Sequence, residues 1–456
     1  MITPLPSTTP SSTDRVVPFG RPMREAHFAF SPDYTPINHG SYGTYPVSVR
    51  DAHTALRAEV EEAPDRFIVL EWPARLREAR AAIAHVLNCE TDDLVFVPNA
   101  TTGSDTVLKN LRWEPGDVIL VYEFVYDAVR AGLAWLEDTF GVRVETVPLK
   151  IPLTDAEIVD AMVAAAKKVN ANENLGTGKE KSTERVRLAI VDTIVSLPGI
   201  RMPFEALVPA LQAEGAMVLV DAAHGIGHVD IDLKSLNPDF LVTSLNKWLF
   251  VPRGVSALHV PRRNQALIRT SLPTSHRFRK HAGEPGEASN AFVDLFDFVA
   301  TLDMTNFLMV KGALAFRSQV CGGEGAIRQY CRSIVRKGAK VALSIFGTEI
   351  MDSPNSRIRE CYFANVRLPL EMVDDDDSAG RETKKIPLSH GARVIQWFRE
   401  VGVRESGCYT QLYVYYGVMW WRISGMIYVD EDDFRKAAEM LKGLCERAAK
   451  GEYLEM

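Results

Sequence analysis

The chain has 456 residues, of which 46% are hydrophobic and 24% charged, and its net charge is -7 at pH 7. This length and composition indicate a globular enzyme of two or three domains, and the negative charge argues against a nucleic-acid-binding surface. No apolar run reaches the roughly 18 residues of a membrane span. The six cysteines form no close pair, which indicates neither a zinc site nor a disulfide framework and predicts a cytoplasmic protein with reduced thiols.

The first part of the chain leads into a turn-rich loop. Residues 1–18 are rich in Ser, Thr and Pro and have no apolar core, which predicts a disordered lead-in rather than a signal peptide. The segment 38–43, NHGSYG, has two glycines among polar and aromatic residues. This pattern favours a backbone that approaches a ligand or another subunit, with an ordinary loop as an equal alternative. A helical pattern follows over residues 47–87.

A strand, a polar turn and a helix start come next. The predicted strand 94–97 runs into a turn that contains Thr101 and Thr102, and residues 105–111 have a helical pattern. Free N–H groups and the helix dipole at such a turn favour a phosphate group, and the threonine hydroxyls add donors. Helix N-caps use the same residue types without any ligand, so the turn alone leaves both interpretations open.

Two further strands each end near a polar residue of interest. The predicted strand 117–121 is followed by Tyr126, whose ring is suited to stack on a flat cofactor and whose hydroxyl can act as an acid or base. A single tyrosine in this place more often packs in the core or lies on the surface. After a polar insertion predicted over residues 168–184, the strand 187–192 leads to Ser196, which we expect to reach the cofactor.

Two apolar runs each end in a reactive residue. Residues 216–220 lead to Asp221, and residues 239–243 lead through Ser244 and Asn246 to Lys247. Apolar runs of this kind are typical of strands in a parallel sheet, where ligands bind beyond the carboxyl ends. A lysine amine that forms a Schiff base and a carboxylate that holds a protonated pyridine nitrogen suit pyridoxal phosphate (PLP). The alternative, a strand-ending aspartate and a surface lysine, explains either residue alone better than it explains the pair.

The β-α repeats over residues 90–250 predict a mostly parallel, seven-stranded sheet within an α/β fold. Residues 252–260 are predicted to form a turn and an edge strand that closes the site, and residues 271–290 a long functional loop. A smaller α+β domain is expected from about residue 311, with a charged, solvated loop over residues 374–385. The predicted divisions are an amino-terminal arm with a substrate-side loop (1–45), a large cofactor-binding domain (46–310) and a small carboxyl-terminal domain (311–456).

These motifs resemble the class V aminotransferase family of PLP enzymes, which have fold type I. The resemblance runs from about residue 38 to residue 434, and its most specific parts are NHGSYG (38–43), DAAHGIG (221–227), NKW (246–248) and WRIS (421–424). The set is similar to the isopenicillin-epimerase-like branch. Within that branch it resembles the fungal hercynylcysteine sulfoxide lyases and their paralogues, which include the LolT enzyme of loline alkaloid synthesis.

The resemblance implies a role for each candidate residue. Lys247 would carry the cofactor and move protons at the substrate α-carbon, and Asp221 would pair with the ring nitrogen. The remaining roles are the phenolic oxygen (His224, Ser196), the phosphate (Thr101, Thr102, Ser244, and Thr301 from a neighbouring subunit), stacking and catalysis (Tyr126), the substrate carboxylate (Arg422) and the substrate side (Asn38, His39). A homodimer with its active site at the subunit interface, a small amino-acid substrate and no metal are implied as well.

The chain departs from the family pattern near the site. Asn246 replaces the histidine that usually precedes the lysine, Gly425 and Met426 replace the usual Ala-Gln, and Asp127 follows Tyr126 where a glycine is usual. These changes favour a specialised paralogue.

We therefore expect a PLP enzyme that forms a carbanion at the α-carbon of an amino acid, foremost as a carbon–sulfur lyase. The alternatives are a Mannich-type cyclase of alkaloid synthesis, or an aminotransferase or epimerase. Cysteine desulfurase chemistry is disfavoured because neither Cys361 nor Cys408 matches a mobile catalytic cysteine. A Rossmann-type nucleotide binder is disfavoured because the sequence after Gly227 lacks a third glycine.

Overall fold

The fold is known from a computed structural model that describes residues 17–171, 173–174, 182–272, 278, 291–353, 355–375 and 385–455. The lead-in predicted over residues 1–18 therefore lies almost wholly outside the described residues. The same is true of most of the predicted loop at 271–290 and of the charged stretch 376–384. Of the polar insertion at 168–184, the structure describes the end of a helix and a two-residue ribbon, in which Glu173–Asn174 pairs with Ser182–Thr183.

A seven-stranded sheet forms the centre of the molecule. All its strands run parallel except β7, and their spatial order is β1-β7-β6-β5-β4-β2-β3. The mostly parallel α/β sheet predicted from the β-α repeats is thus confirmed. The strands are β1 (Leu94–Val97), β2 (Asp117–Tyr122), β3 (Arg143–Val147), β4 (Arg185–Asp192), β5 (Met217–Asp221), β6 (Phe240–Ser244) and β7 (Ser256–His259).

The prediction that residues 252–260 contain an edge strand is wrong. Strand β7 lies between β1 and β6 and is antiparallel to both, so Ser256 is paired with Val97 on one side and with Ser244 on the other. All four residues of β7 are buried. Short apolar strands look alike in sequence whether they lie at an edge or inside a sheet, because the pattern reports burial and not the neighbours.

Helices cover both faces of this sheet, as the crossovers between parallel strands require. The apolar side chains of β2, β4, β5 and β6 are buried, apart from the partly buried Met217 at the start of β5, as expected for strands that are covered on both faces. The longer helices are α1 (Val47–Glu62), α2 (Trp72–Leu87), α3 (Ala100–Asn110), α4 (Asp127–Phe140), α5 (Asp155–Asn170) and α6 (Phe204–Ala213), and the four-residue α7 (Leu245–Trp248) follows β6.

The carboxyl-terminal part has its own sheet of three antiparallel strands in the order β8-β10-β9, with long helices packed against it and against one another. Trp421 of β10 and Phe363 of β8 are buried there. The strands are β8 (Phe363–Arg367), β9 (Gln411–Tyr415) and β10 (Val418–Ser424), and the helices are α8 (Glu324–Phe346), α9 (Gly391–Ser406) and α10 (Glu431–Ala448).

Short elements complete the fold. Among the described residues, no helix combines the length and the apolar character that crossing a membrane would need. The short helices are Arg21–His27, His39–Tyr42, Pro64–Arg66, Phe67–Glu71, Thr91–Asp93, Leu233–Leu236, Arg262–Leu267, Ala291–Asp297, Thr305–Met309, Val310–Ala315, Phe316–Val320, Leu388–His390 and Glu452–Glu455, and the short strands are Ile194–Val195, Ile200–Arg201, Glu371–Val373 and Lys385–Pro387.

The parallel pairing decides which residues meet. Asp192 at the end of β4 is directly opposite Asp221 at the end of β5, and Asp221 is in turn opposite Val242 of β6. Since the carboxyl ends of these strands share one edge of the sheet, the loops that follow them surround a single space.

Candidate active site

A cavity of about 170 Å³ opens at the carboxyl edge of the sheet. It brings together eight of the residues predicted from the sequence: Thr101, Tyr126, Ser196, Asp221, His224, Ser244, Asn246 and Lys247. It also contains residues that sequence reasoning assigned no role, namely Asn99, Ala100, Ser104, Val129, Asp192 and Ala223. Thr102, Thr301, Asn38, His39 and Arg422 are not among the lining residues.

Lys247 reaches the cavity from α7, the short helix that follows β6 directly. Its Nζ lies 3.2 Å from Nε2 of His224. Burial lowers the pKa of the Lys247 amine to about 8, although the nearby Asp221 carboxylate opposes this shift. A lower pKa raises the fraction of the amine that is uncharged near neutral pH above that of an exposed lysine, and the uncharged form is the one that attacks a carbonyl.

Asp221 is only 6% exposed. The Ala223 N–H donates a hydrogen bond of 2.9 Å to its Oδ1, and burial raises the pKa of its carboxyl group. The nearby Lys247 charge opposes this rise in the pKa of Asp221. A buried carboxylate that faces the cavity in this way fits a protonated ring nitrogen.

Asp192 is a cavity residue that the sequence reasoning missed. The Tyr122 hydroxyl donates a hydrogen bond to Asp192 Oδ2, and the same hydroxyl accepts the Asp192 N–H. Burial and the neighbouring Asp221 carboxylate hold the pKa of Asp192 well above its usual range. The sequence signal that could have identified Asp192 is that its predicted strand ends in aspartate, as does the strand that ends at Asp221.

The amino-terminal end of α3 forms another wall. The Asn99 side chain caps this helix by accepting the Thr102 N–H at 2.8 Å and the Thr102 hydroxyl at 3.0 Å. Thr102 therefore faces its own cap, while Thr101 lines the cavity. Thr101 lies in the first turn of α3, and Ser244 directly precedes α7. Hydroxyl donors at the start of a helix fit a phosphate group.

Arg422 lies behind the cavity wall and is 1% exposed. Its guanidinium donates to the Ser196 carbonyl at 2.8 Å, to Asn38 Oδ1 at 3.2 Å and to Ser41 Oγ at 2.9 Å. It also lies 4.4 Å from the ring centroid of Phe363. None of these partners is an acid, so the positive charge is available to an anion, and burial lowers the pKa of Arg422 to about 10.

The segment 38–43 packs directly against the lysine helix. A Cβ at Gly43, whose φ is +65°, would lie 1.9 Å from the Asn246 carbonyl oxygen, so only glycine allows this approach. His39 contacts the Lys247 carbonyl through Nε2 and the Tyr428 hydroxyl through Nδ1 at 2.5 Å. Burial lowers the pKa of His39 to about 3, and its neutral ring supports the lysine from behind.

The remaining predicted residues have different surroundings. Tyr126 lies at the start of α4, is 47% exposed and contributes to the cavity lining. Thr301 lies elsewhere, on an apolar groove of about 650 Å³ that it shares with Ile68, Trp72, Leu302 and their neighbours. Its expected contact with a neighbouring subunit stays a prediction.

Comparison with known protein families and with similar proteins identifies relatives of this chain. A family model described as class V aminotransferase matches residues 70–284. The chain is 33% identical to the L-cysteine desulfhydrase-like protein lolT1 of Epichloe uncinata over 449 residues, which cover 94% of this chain and 96% of that protein. It is 27% identical to the hercynylcysteine sulfoxide lyase of Schizosaccharomyces pombe, over 94% of this chain and 98% of that protein.

A solved structure has a similar fold. A mutant of C-DES with glycine covalently linked to its PLP cofactor matches with a TM-score of 0.67 and 18% identity, over 90% of this chain and 97% of that one. At this level of identity the likeness shows that the two chains share the fold of a PLP enzyme.

The lowered pKa of Lys247 predicts how the amine reacts. In protein freed of cofactor, we expect the rate constant for PLP capture to rise with pH around a midpoint near 8, because the neutral amine is the nucleophile. An exposed lysine would give a midpoint of about 10.4. The measurement is the second-order rate of uptake across a pH series, with Lys247→Ala as the blank, and a midpoint above about 10 would contradict the burial argument.

Proposed function

Because this chain belongs to the class V aminotransferase family and is an enzyme that uses PLP, we propose that it cleaves a carbon–sulfur bond of an amino-acid substrate. The strongest support is a reactive amine and a buried carboxylate that line one cavity, with an unneutralised guanidinium behind the wall of that cavity. The amine is that of Lys247, the carboxylate is that of Asp221, and the guanidinium is that of Arg422.

The cavity offers one set of partners to each part of the cofactor. Lys247 would hold it covalently and Asp221 would bind its ring nitrogen. Thr101, Ser244 and the start of α3 would bind its phosphate, and the lining residues left for its ring and phenolic oxygen are Tyr126, Ser196 and His224. When bound, the cofactor withdraws the electron pair that remains at the α-carbon after a proton leaves.

Two residues of the chain act on the substrate itself. The Lys247 amine, with its pKa of about 8, accepts the α-proton and can return a proton to the leaving group. Arg422 receives the substrate carboxylate, a task that suits the planar guanidinium because it donates two parallel hydrogen bonds. Asn38 and Ser41 hold the guanidinium in place by accepting hydrogen bonds from its Nη2.

A carbon–sulfur lyase is favoured over the other reactions of the family. The relatives from Epichloe uncinata and Schizosaccharomyces pombe are named as desulfhydrase-like and as a sulfoxide lyase. The six cysteines all lie in the described ranges; five are buried, Cys89 is partly exposed, and none lines the cavity. The sulfur-accepting cysteine of a desulfurase is thus missing from this site. Mannich-type cyclisation, transamination and epimerisation are the competing outcomes of the test below.

The reaction is tested by adding an S-substituted cysteine sulfoxide, and separately L-cysteine, to the purified holoenzyme. We expect the absorbance of the bound cofactor to shift while pyruvate and ammonia accumulate, because loss of the sulfur substituent leaves a three-carbon fragment that takes up water. Lys247→Ala is the control that abolishes both signals. A spectral shift without pyruvate would contradict lyase action and direct the search to cyclising or epimerising substrates.

The role of Arg422 predicts a selective binding defect. Arg422→Ala should weaken binding of the amino acid by about 2–5 kcal/mol, since a desolvated charge pair is lost. Its binding of the corresponding amino-acid amide, which lacks the carboxylate, should change far less. The matched control is Arg367→Ala on the neighbouring strand β8, where the side chain is 41% exposed. Equal affinity of wild type and Arg422→Ala for the amino acid would remove Arg422 from the site.

We also propose that two copies of the chain associate through the groove beside Thr301. The groove is lined mainly by apolar side chains, and Val69, Leu70 and Leu302 are 68%, 71% and 59% exposed at or near its edge. Exposed apolar side chains gathered in one place are typical of a protein interface. Since Thr301 contacts this groove and not the cavity of its own chain, it is free to serve the cavity of a second copy.

A charge introduced at this surface should separate the two copies. We expect the wild-type protein to have the mass of a dimer by light scattering and Leu70→Glu to shift towards the monomer with weaker cofactor retention. Leu454→Glu, which changes another exposed leucine far along the chain, should remain dimeric. A monomeric wild type, or a dimeric Leu70→Glu, would contradict the proposed interface.

A further inference from the structure

Both ring nitrogens of His224 have a partner in the described structure. The indole N–H of Trp248 donates to Nδ1 at a distance of 3.3 Å. On the other side of the ring, Nε2 lies 3.2 Å from Nζ of Lys247. Lys247 and Trp248, which are adjacent in the sequence, are therefore connected through the side chain of His224.

The two contacts constrain where the histidine carries its proton. Burial holds the pKa of His224 well below its usual range, so the ring is neutral and has one N–H. The indole nitrogen is a donor only and cannot accept a hydrogen bond. An N–H donated to Nδ1 requires a lone pair there, and the single proton must then lie on Nε2.

Trp248 has little freedom to turn its N–H elsewhere. Its side chain is fully buried, and its ring is packed against His228, Tyr362 and Phe363 at centroid distances of 4.3, 5.5 and 5.4 Å. The Trp248 carbonyl also accepts a hydrogen bond from Arg317. The indole therefore presents a fixed donor to the histidine.

We propose that Trp248 is a positioning residue that holds His224 in the tautomer with its proton on Nε2, so that His224 presents an N–H to the cavity. In this arrangement Nε2–H donates to the lone pair of an uncharged Lys247 amine. The opposite arrangement would have a Lys247 ammonium donate to Nε2, and it would place a proton on Nδ1 against the indole N–H. Two donors would then face each other without an acceptor, which disfavours the charged amine.

Other charged groups act on the same two side chains. The groups near Lys247 are Asp221 and Asp192, which favour the ammonium, and Arg422, which disfavours it. Those near His224 are Lys247, Arg422, His228 and His39, and all of them disfavour a charged imidazole. The charges around His224 disfavour a second proton on the ring but do not choose between its two nitrogens, whereas the hydrogen bond from Trp248 to Nδ1 does.

This inference rests on the proposed function and narrows its chemistry. An Nε2 that already carries a proton cannot accept the α-proton of a substrate. His224 is then a hydrogen-bond donor to the bound cofactor, and the proton transfer is left to Lys247. The position of Trp248 directly after Lys247 keeps the donor and the base in one short helix, α7.

The tautomer can be read from nitrogen and proton NMR spectra of the holoenzyme prepared with isotope-labelled histidine. The chain has ten histidines, and the signals of His224 are those that disappear in His224→Gln. We expect an unprotonated Nδ1 and a protonated Nε2 at neutral pH. A protonated Nδ1 in the wild type would overturn the proposal whatever reaction the enzyme catalyses, so this result is independent of the lyase assay.

A variant of Trp248 tests whether its indole N–H sets the tautomer of His224. Trp248→Phe removes the N–H and keeps an aromatic ring, and it should move the His224 signals towards a mixture of tautomers. It should also raise the pH midpoint of cofactor capture by on the order of one unit. Trp113→Phe is the matched control, because its indole N–H donates to the Leu108 carbonyl. Unchanged His224 signals in Trp248→Phe would refute the assignment. If that variant does not fold, the wild-type spectrum alone decides the tautomer.

Discussion

The burial of one amine, that of Lys247, is the constraint on which the other features of the cavity depend. An amine reacts with a carbonyl only when it is uncharged, and burial moves the pKa of Lys247 to about 8. The Asp221 carboxylate opposes this effect, so the distance from Asp221 to Lys247 and the burial of Asp221 also influence the pKa of the amine. The parallel pairing of β5 and β6 determines that distance and that burial, because it places the end of β5 beside the start of α7, the helix that carries Lys247.

A single segment, residues 38–43, joins the two ends of the site. His39 contacts the Lys247 backbone carbonyl, while Asn38 and Ser41 hold the Arg422 guanidinium. The glycine at position 43 allows the segment to approach the lysine helix closely. The expected anchor for the substrate carboxylate and the expected base are therefore positioned by the same few residues, which connect a strand of the carboxyl-terminal sheet to the wall of the cavity.

The sequence predicted the sheet type and much of the cavity, but not its complete composition. Asp221, Lys247, His224 and Tyr126 each follow a strand, and their convergence follows from the rule that parallel strands end at one edge. The rule does not say which polar residues face the cavity. Thr102 has the same type of side chain as Thr101 but bonds to the Asn99 cap. Asp192 was overlooked because its partner, Tyr122, is 70 positions away.

The sequence by itself determined the strand-turn-helix repeats, the residues at the strand ends and the family likeness, since these depend on local periodicity and on residue type. Only the tertiary structure decided that β7 lies inside the sheet, that Asn38 and His39 support the wall from behind, and that Trp248 donates its N–H to His224. Hydrogen-bond partners and strand neighbours are properties of distance in space. Distance in space is settled by packing of the whole chain, because a short stretch of sequence is compatible with many neighbours.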